Sequence, residues 1–265
     1  MANDVLLKDI KGNVGTLTFN RPQKRNSLTV EMLLQLVKTL EEWARDDSIR
    51  VVVITGIGDK AFCAGFDVLS IPTEITPEMA ESLKGTHPVE KALNTVKNYP
   101  YPTIAMLNGY AMGAGFNMTM CCDIRIGADD VRMGIPPAKL GLVYHPEGVK
   151  QVVEALGMAR AREVFFTGRL YSAEDVVKMG LIHQSVPKSE LADVTYALAE
   201  EIAENAPLSL KGIKRILNML GDSMTLSEEN IKEAALIIAQ SFNSEDIKEG
   251  QLAFIQKRKP VFKGK

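Results

Sequence analysis

Residues 103–148 read TIAMLNGYAMGAGFNMTMCCDIRIGADDVRMGIPPAKLGLVYHPEG, and this stretch decides the fold. It opens on an apolar run, Ile104-Ala105-Met106-Leu107, held between Pro102 and Asn108-Gly109, the pattern of a buried strand. Small residues follow at Gly109, Ala111, Gly113, Ala114 and Gly115, and the apolar segment from Phe116 to Cys122 predicts a helix. A strand led through small residues into a helix lets a ligand approach the backbone closely. It also aims the unpaired N–H groups of the first helical turn at that ligand. The same residues suit simple close packing of a helix on a sheet.

A second Gly-containing turn, Ala61-Phe62-Cys63-Ala64-Gly65-Phe66-Asp67, follows another apolar run, Val51-Val52-Val53-Ile54. Two strand-to-turn units can bring two backbone donors to one oxygen. The chain of 265 residues is long enough for one substantial core with a helical appendage. Its 46% hydrophobic and 24% charged content is that of a globular protein, and a net charge of −2 argues against nucleic-acid or membrane-surface partners. Three cysteines, Cys63, Cys121 and Cys122, form neither a disulfide framework nor a metal spacing. No spanning-length apolar run and no signal-type amino terminus are present, so a cytoplasmic location is expected.

Working outward, Val5–Asp9 and Val14–Phe19 predict a hairpin about Lys11-Gly12-Asn13. A polar, basic segment with Arg21, Lys24 and Arg25 leads to a helix capped by Ser27 or Thr29, whose apolar face holds Leu33, Leu36, Val37, Leu40 and Trp43. Val51–Thr55 reads as a fully buried strand and Val89–Asn98 as a helix. Leu69–Thr86, with a short helix from Pro77, is the expected variable wall over an acyl pocket. Helices are predicted over Glu147–Leu156 and Ala159–Phe166, separated at Gly157, and another begins at Tyr171-Ser172-Ala173-Glu174. A strand-like piece spans Ile182–Val186, and helices follow over Glu190–Asn205, Leu208–Leu220, Ser227–Phe242 and Glu245–Lys257. The expected architecture is an α/β core over 1–188 with a helical lobe over 189–265.

Together, ITGIGDKAFCAGFDV (54–68) and NGYAMGAGFNMTMCCDIRIGADDVRMG (108–134) resemble the crotonase (enoyl-CoA hydratase/isomerase) superfamily. The resemblance runs from NRPQKRNSLT (20–29) to SEDIKEGQLAFIQKRKP (244–260). It implies a spiral of ββα units, with terminal helices building a trimer or a dimer of trimers. It also implies an acyl-CoA substrate, with coenzyme A part of that substrate and no separate cofactor or metal. The shared chemistry would be an enolate held by two backbone N–H groups, here those of Phe66 and Ala114. Substrate would also touch Ala64 and Gly65, with Lys24, Arg25, Phe254 and Lys257 near the adenine and phosphates, the last two in a neighbouring subunit's site. Asp67 is read as a turn or helix-cap carboxylate.

The chain departs from the family's hydratases where they carry two glutamates: Asn117 stands at the first position and Pro137 at the second. An amide is no general base and proline has no polar side chain. The remaining polar candidates lie in Leu142-Val143-Tyr144-His145-Pro146-Glu147-Gly148. Tyr144 falls where the superfamily's methylmalonyl-CoA decarboxylase members carry a tyrosine, although those members have His in place of Phe66 and Glu in place of Asn117. A phenol there would anchor a substrate carboxylate, and His145 would donate a proton to the enolate carbon. Glu147 is explained by the helix dipole, and His183 by a structural role. Decarboxylation of a small malonyl-type thioester is therefore the leading expectation. Hydration or isomerisation with non-standard acid/base groups, acyl-CoA hydrolysis, and a catalytically silent acyl-CoA-binding oligomer are the alternatives.

Overall fold

The computed structural model describes residues 4–66, 87–223 and 225–264. Asp67 and the expected wall of Leu69–Thr86 lie outside the described residues.

Strands β1 (Leu6–Lys11) and β2 (Val14–Phe19) pair antiparallel, and β1 starts one residue later and ends two residues later than its sequence suggested. Helix α1 (Val30–Trp43) begins at Thr29, whose hydroxyl accepts the Met32 N–H at 3.2 Å. Strand β3 (Val51–Gly56) is buried at every residue, as a central parallel strand covered on both faces must be. With β5 (Thr103–Leu107), β7 (Ile124–Ala128) and β9 (Gln184–Val186) it completes a sheet of order β1-β2-β3-β5-β7-β9, parallel from β2 onward. The expected strand over Ile182–Val186 is thus shorter, because Leu181 and Ile182 turn inward as buried packing residues.

A second, three-stranded parallel sheet is built from β4 (Ala61–Cys63), β6 (Tyr110–Met112) and β8 (Arg132–Gly134). Its first strand lies inside the segment read from sequence as a turn. Strands β3, β5 and β7 of the large sheet therefore each hand the chain to a short strand of the small one, and this step positions both Gly-containing turns.

Helix α2 (Pro88–Lys97) packs on α1, and helix α3 (Ala114–Cys121) follows β6 directly. Helix α4 (Pro146–Thr167) consists of two helical stretches that meet at Gly157, whose non-helical φ of 73° and ψ of 163° separates them where the sequence suggested. Helix α5 (Ala173–Lys178) starts in a capping box between Ser172 and Asp175. One large core joins Phe19, Leu33, Phe62, Tyr101 and Phe116 between the sheets, α1 and α3. A second core lies on the opposite face of the large sheet, where Leu191, Ala199 and Ala203 of helix α6 (Leu191–Ala203) cover Val14, Val51, Val53 and Ile104.

Helices α7 (Pro207–Asp222), α8 (Glu228–Phe242) and α9 (Glu245–Ile255) complete the chain. Helix α9 ends two residues before Lys257, which adopts a left-handed backbone with φ 53°. Buried Lys214 ties α7 to the core by donating to the Tyr101 carbonyl at 2.9 Å and to Asp123 at 2.7 Å. By contrast, α7 and α8 leave Leu208, Ile213, Ile216, Leu217, Ile231 and Leu236 exposed, an apolar surface larger than scattered side chains would make. Among the described residues no helix is long and apolar enough to cross a membrane, and no cluster of His, Cys, Asp and Glu could hold a metal ion.

Candidate active site

The two Gly-containing turns meet. Gly65 has φ +91°, and a Cβ there would lie 2.7 Å from the Met112 carbonyl oxygen and 3.4 Å from the Ala114 nitrogen. Only glycine meets both demands, left-handed backbone and contact with the opposite turn. Gly113, at φ 53° and ψ −121°, turns β6 into the first residue of α3. Among the described residues, neither the Phe66 N–H nor the Ala114 N–H meets an acceptor. The first is freed because the bridge from Leu28 takes the Gly65 carbonyl at 2.8 Å; the second opens a helix, where intrahelical acceptors are missing. Two free backbone donors on abutting turns, one at a helix N-terminus, can hold a developing negative charge.

The basic segment runs alongside. Ala64 donates its N–H to the Arg25 carbonyl at 3.0 Å, and Asn26 fixes the segment through bonds to the Ile57 and Ala61 carbonyls. Lys24 and Arg25 stay exposed, beside the turn that bears Phe66. Phe254 and Lys257 are exposed on and just after α9; among the described residues no hydrogen bond, ion pair or ring contact joins them to Lys24 or Arg25. Instead α9 packs on the turn Pro137–Leu140, where a Cβ on Gly250 would lie 2.5 Å from the Leu140 carbonyl oxygen.

Tyr144 lies between that turn and α4. Its ring sits 5.6 Å from the Phe165 ring and so close to Gly148 that a Cβ there would fall 2.8 Å from its Cδ1. Burial, and secondarily the Cys63 thiol, pushes the Tyr144 phenol well above its ordinary pKa, so it stays protonated and can donate. Among the described residues its hydroxyl has no hydrogen-bond partner. Beneath the turn, burial pushes the Cys63 thiol up to about 12, although the Gly65 N–H opposes this from 3.3 Å. It is a packing group rather than a nucleophile.

Asn117 is fully buried one helical turn beyond Ala114. Its Nδ2 donates to the Gly148 carbonyl and to Gln151 Oε1, each at 2.9 Å, while its Oδ1 has no partner. His145 precedes α4 with its side chain 60% exposed and its Nδ1 3.9 Å from Glu90. His183 is structural: its Nδ1 accepts the Arg125 N–H at 3.1 Å between β7 and β9.

Two residues near this site were missed in the sequence. His87 stands edge-on to the Phe66 ring and accepts the Val89 N–H on Nδ1, which leaves its proton on Nε2 when neutral. Its only sequence signal was its place before Pro88. Gln151 does have a signal: a polar residue on the inward face of α4, one turn beyond Gly148.

The comparisons agree with this construction. The family model described as enoyl-CoA hydratase/isomerase matches residues 9–265. The chain is 35% identical to (E)-benzylidenesuccinyl-CoA hydratase of Thauera aromatica over 97% of its own length and 98% of that protein's. It is 32% identical to carnitinyl-CoA dehydratase of Escherichia coli K12, covering 96% of each. Among solved structures, methylmalonyl-CoA decarboxylase in complex with 2-nitronate-propionyl-CoA superposes with a TM-score of 0.90 at 28% identity, over 100% of both chains. The meeting of the two turns, the sheet order and these matches lead to one assignment: the chain belongs to the enoyl-CoA hydratase/isomerase family of the crotonase superfamily, whose members act on acyl-CoA thioesters.

Proposed function

We propose that the protein decarboxylates a small malonyl-type CoA thioester. The observation that carries this reading is the set of groups around the two free N–H donors. Among the described residues the Tyr144 hydroxyl, held protonated by burial, has no partner, and an amide and a proline stand at the two glutamate positions. A site without those glutamates does not repel a substrate carboxylate.

Tyr144 would donate to that carboxylate and hold it out of the thioester plane. The bond between the carboxylate carbon and Cα then breaks, its electron pair enters the thioester as an enolate, and carbon dioxide leaves. The Phe66 and Ala114 N–H groups take the oxygen's charge, a device worth about 3 kcal/mol of barrier per donor. His145 returns a proton to Cα and is recharged from solvent. The likeness to the methylmalonyl-CoA decarboxylase structure supports this reading.

A second reading is hydration or dehydration of a CoA thioester, favoured by the relatives named as a hydratase and a dehydratase, with His145 and nearby Glu90 as the acid/base pair. Either enzyme would be a trimer or a dimer of trimers, assembled through the apolar faces of α7 and α8. Coenzyme A would run past Lys24, Arg25, Ala64 and Gly65, with a neighbouring subunit's Phe254 and Lys257 closing over its adenine end.

Incubation with methylmalonyl-CoA, crotonyl-CoA and a 3-enoyl-CoA, followed by mass spectrometry and chromatography, separates the readings. Loss of carbon dioxide supports the first, gain of water the second. Tyr144→Phe is expected to lower kcat/KM at least tenfold while coenzyme A binding and folding stay near wild type. Near-normal turnover in that variant removes Tyr144 from the reaction.

A further inference from the structure

Hydrogen-bond accounting around Asn117 leaves no freedom in how its amide is turned. The Gly148 carbonyl oxygen only accepts, so the Asn117 atom 2.9 Å from it is nitrogen. That nitrogen has two hydrogens, and the second goes to Gln151, 2.9 Å away, whose facing atom must be its oxygen. Both donors of Asn117 are therefore spent inside the protein. What remains is the carbonyl oxygen Oδ1, buried and, among the described residues, without a partner. An unmade bond at such an atom is a standing loss, which a ligand donor would recover.

Gln151 is itself 3% exposed, and the same accounting turns its Nε2 away from Asn117. It lines a polar cavity of about 220 Å³ together with Lys97, Arg125, Glu154 and Asn218. Among the described residues its Nε2 is buried and meets no acceptor, so no bond there competes to turn the amide over and its oxygen stays on Asn117. Flipping either amide would set nitrogen against nitrogen or oxygen against the Gly148 carbonyl. The pair is thus a fixed relay of orientation from the cavity to the helix face that bears Ala114.

We propose that Gln151 is a positioning residue that locks Asn117 as an acceptor-only group, so that the site offers a carbonyl oxygen to an O–H donor, either an ordered water or a hydroxyl at C3 of the acyl group. This rests on the placement of Asn117 in the acyl site, and it does not depend on which reaction follows. Asn117 cannot donate to the thioester oxygen or to a substrate carboxylate; those tasks fall to the backbone N–H groups and to Tyr144.

The test compares wild type with Gln151→Leu, which frees the amide, and Gln151→Glu, which keeps an acceptor facing Asn117. Turnover is measured on the substrate found active, and calorimetry is run with butyryl-CoA and 3-hydroxybutyryl-CoA. With a ligand hydroxyl as donor, wild type binds the hydroxyacyl thioester at least tenfold more tightly, and Gln151→Leu erases that preference. With water as donor the two ligands bind alike, and Gln151→Leu lowers kcat at least tenfold at little cost in KM. In both cases Gln151→Glu recovers most of the effect. The proposal is overturned if Gln151→Leu leaves both preference and kcat at wild-type values, or if Gln151→Glu falls as far. A crystal structure of the wild-type protein with 3-hydroxybutyryl-CoA guards against variants that fail to fold. It must show an oxygen within hydrogen-bond distance of Asn117 Oδ1, and an unpartnered or reversed amide overturns the proposal outright. If wild type binds these thioesters but turns over none of the panel, the proposed reaction fails while the binding arm still decides the role of Gln151.

Discussion

The His87 imidazole stands edge-on to the Phe66 ring, centroids 6.0 Å apart and planes at 71°. That contact covers one side of an otherwise exposed imidazole, and the partial desolvation lowers its pKa; Glu90 opposes the shift and His145 adds to it. The pKa of His183 is lowered as well, first by burial and then by Arg125. Both histidines therefore take up protons less readily in the folded chain than in the unfolded one, where the ordinary value is about 6.5. As pH falls below that value the unfolded chain binds protons that the folded chain refuses, and stability is lost; above it the stability is regained. Melting temperature should drop between about pH 7 and pH 5.5, and the double variant His87→Gln, His183→Gln should flatten that drop. Carboxylates held low, such as Glu249 at about 2, act only at more acidic pH and leave this window clean. An unchanged slope in the double variant would refute the assignment.

Gly65→Ala should be costly beyond its size. The new methyl would lie 2.7 Å from the Met112 carbonyl oxygen, at a φ of +91° that alanine rarely adopts. The two turns must then part, which spoils the alignment of the Phe66 and Ala114 donors. Turnover should fall on the order of a hundredfold or more, with stability lower by at least about 1 kcal/mol. Steady-state kinetics beside urea unfolding measures both, and a variant with normal kcat would show that the donors do not act together.

Lys214 and Asp123 fasten α7 to the core. The Asp123 carboxylate also accepts from the Thr103 N–H and hydroxyl at 2.7 and 2.9 Å, so removing the lysine leaves it partly satisfied. Because the carboxylate is also partly solvated, Lys214→Met should cost about 2 kcal/mol, below the 3–5 typical of fully buried pairs. Asp123→Asn added to Lys214→Met should cost less than the two singles summed, by chemical denaturation. Additive losses would mean that the pair is not coupled.

Much of this was legible in the sequence, for identifiable reasons. Ser27 and Thr29 announce α1 because a hydroxyl before an amphipathic run has one strong use, and the structure chooses Thr29. Val51-Val52-Val53-Ile54 announces β3 because only a strand covered on both faces tolerates an unbroken β-branched run. The small sheet was not legible: strands of three residues, such as Ala61–Cys63, are too short to show alternation and are held by pairing with distant partners. In the site, the departures at Asn117 and Pro137 could be read from position. The lock by Gln151 could not, since it joins residues 34 apart through side-chain geometry. Nor could the His87–Phe66 contact, which depends on how α2 is set against the turn.

Removing everything after Asn243 should do more damage than Lys257→Ala. Helix α9 abuts the turn before Tyr144, where a Cβ on Gly141 would lie 2.6 Å from the Asp246 carbonyl carbon. The Val143 N–H donates to Ser241 in α8 at 3.1 Å. The truncated chain should bind acyl-CoA more weakly and lose turnover at saturating substrate, and light scattering should give a lower oligomeric state than full-length protein. Intact affinity and turnover after truncation would exclude α9 from the site.

The seat of Tyr144 has a consequence for how the protein is made. Both sheets and their helices are complete once residue 203 has been added, and a chain growing from its amino end can build them during synthesis. The segment 137–143, however, leans on α8 and α9, which are synthesised only after both sheets are complete. A nascent chain would thus have its pair of backbone donors in place well before its tyrosine is seated. It would become competent only once α8 and α9 have been added.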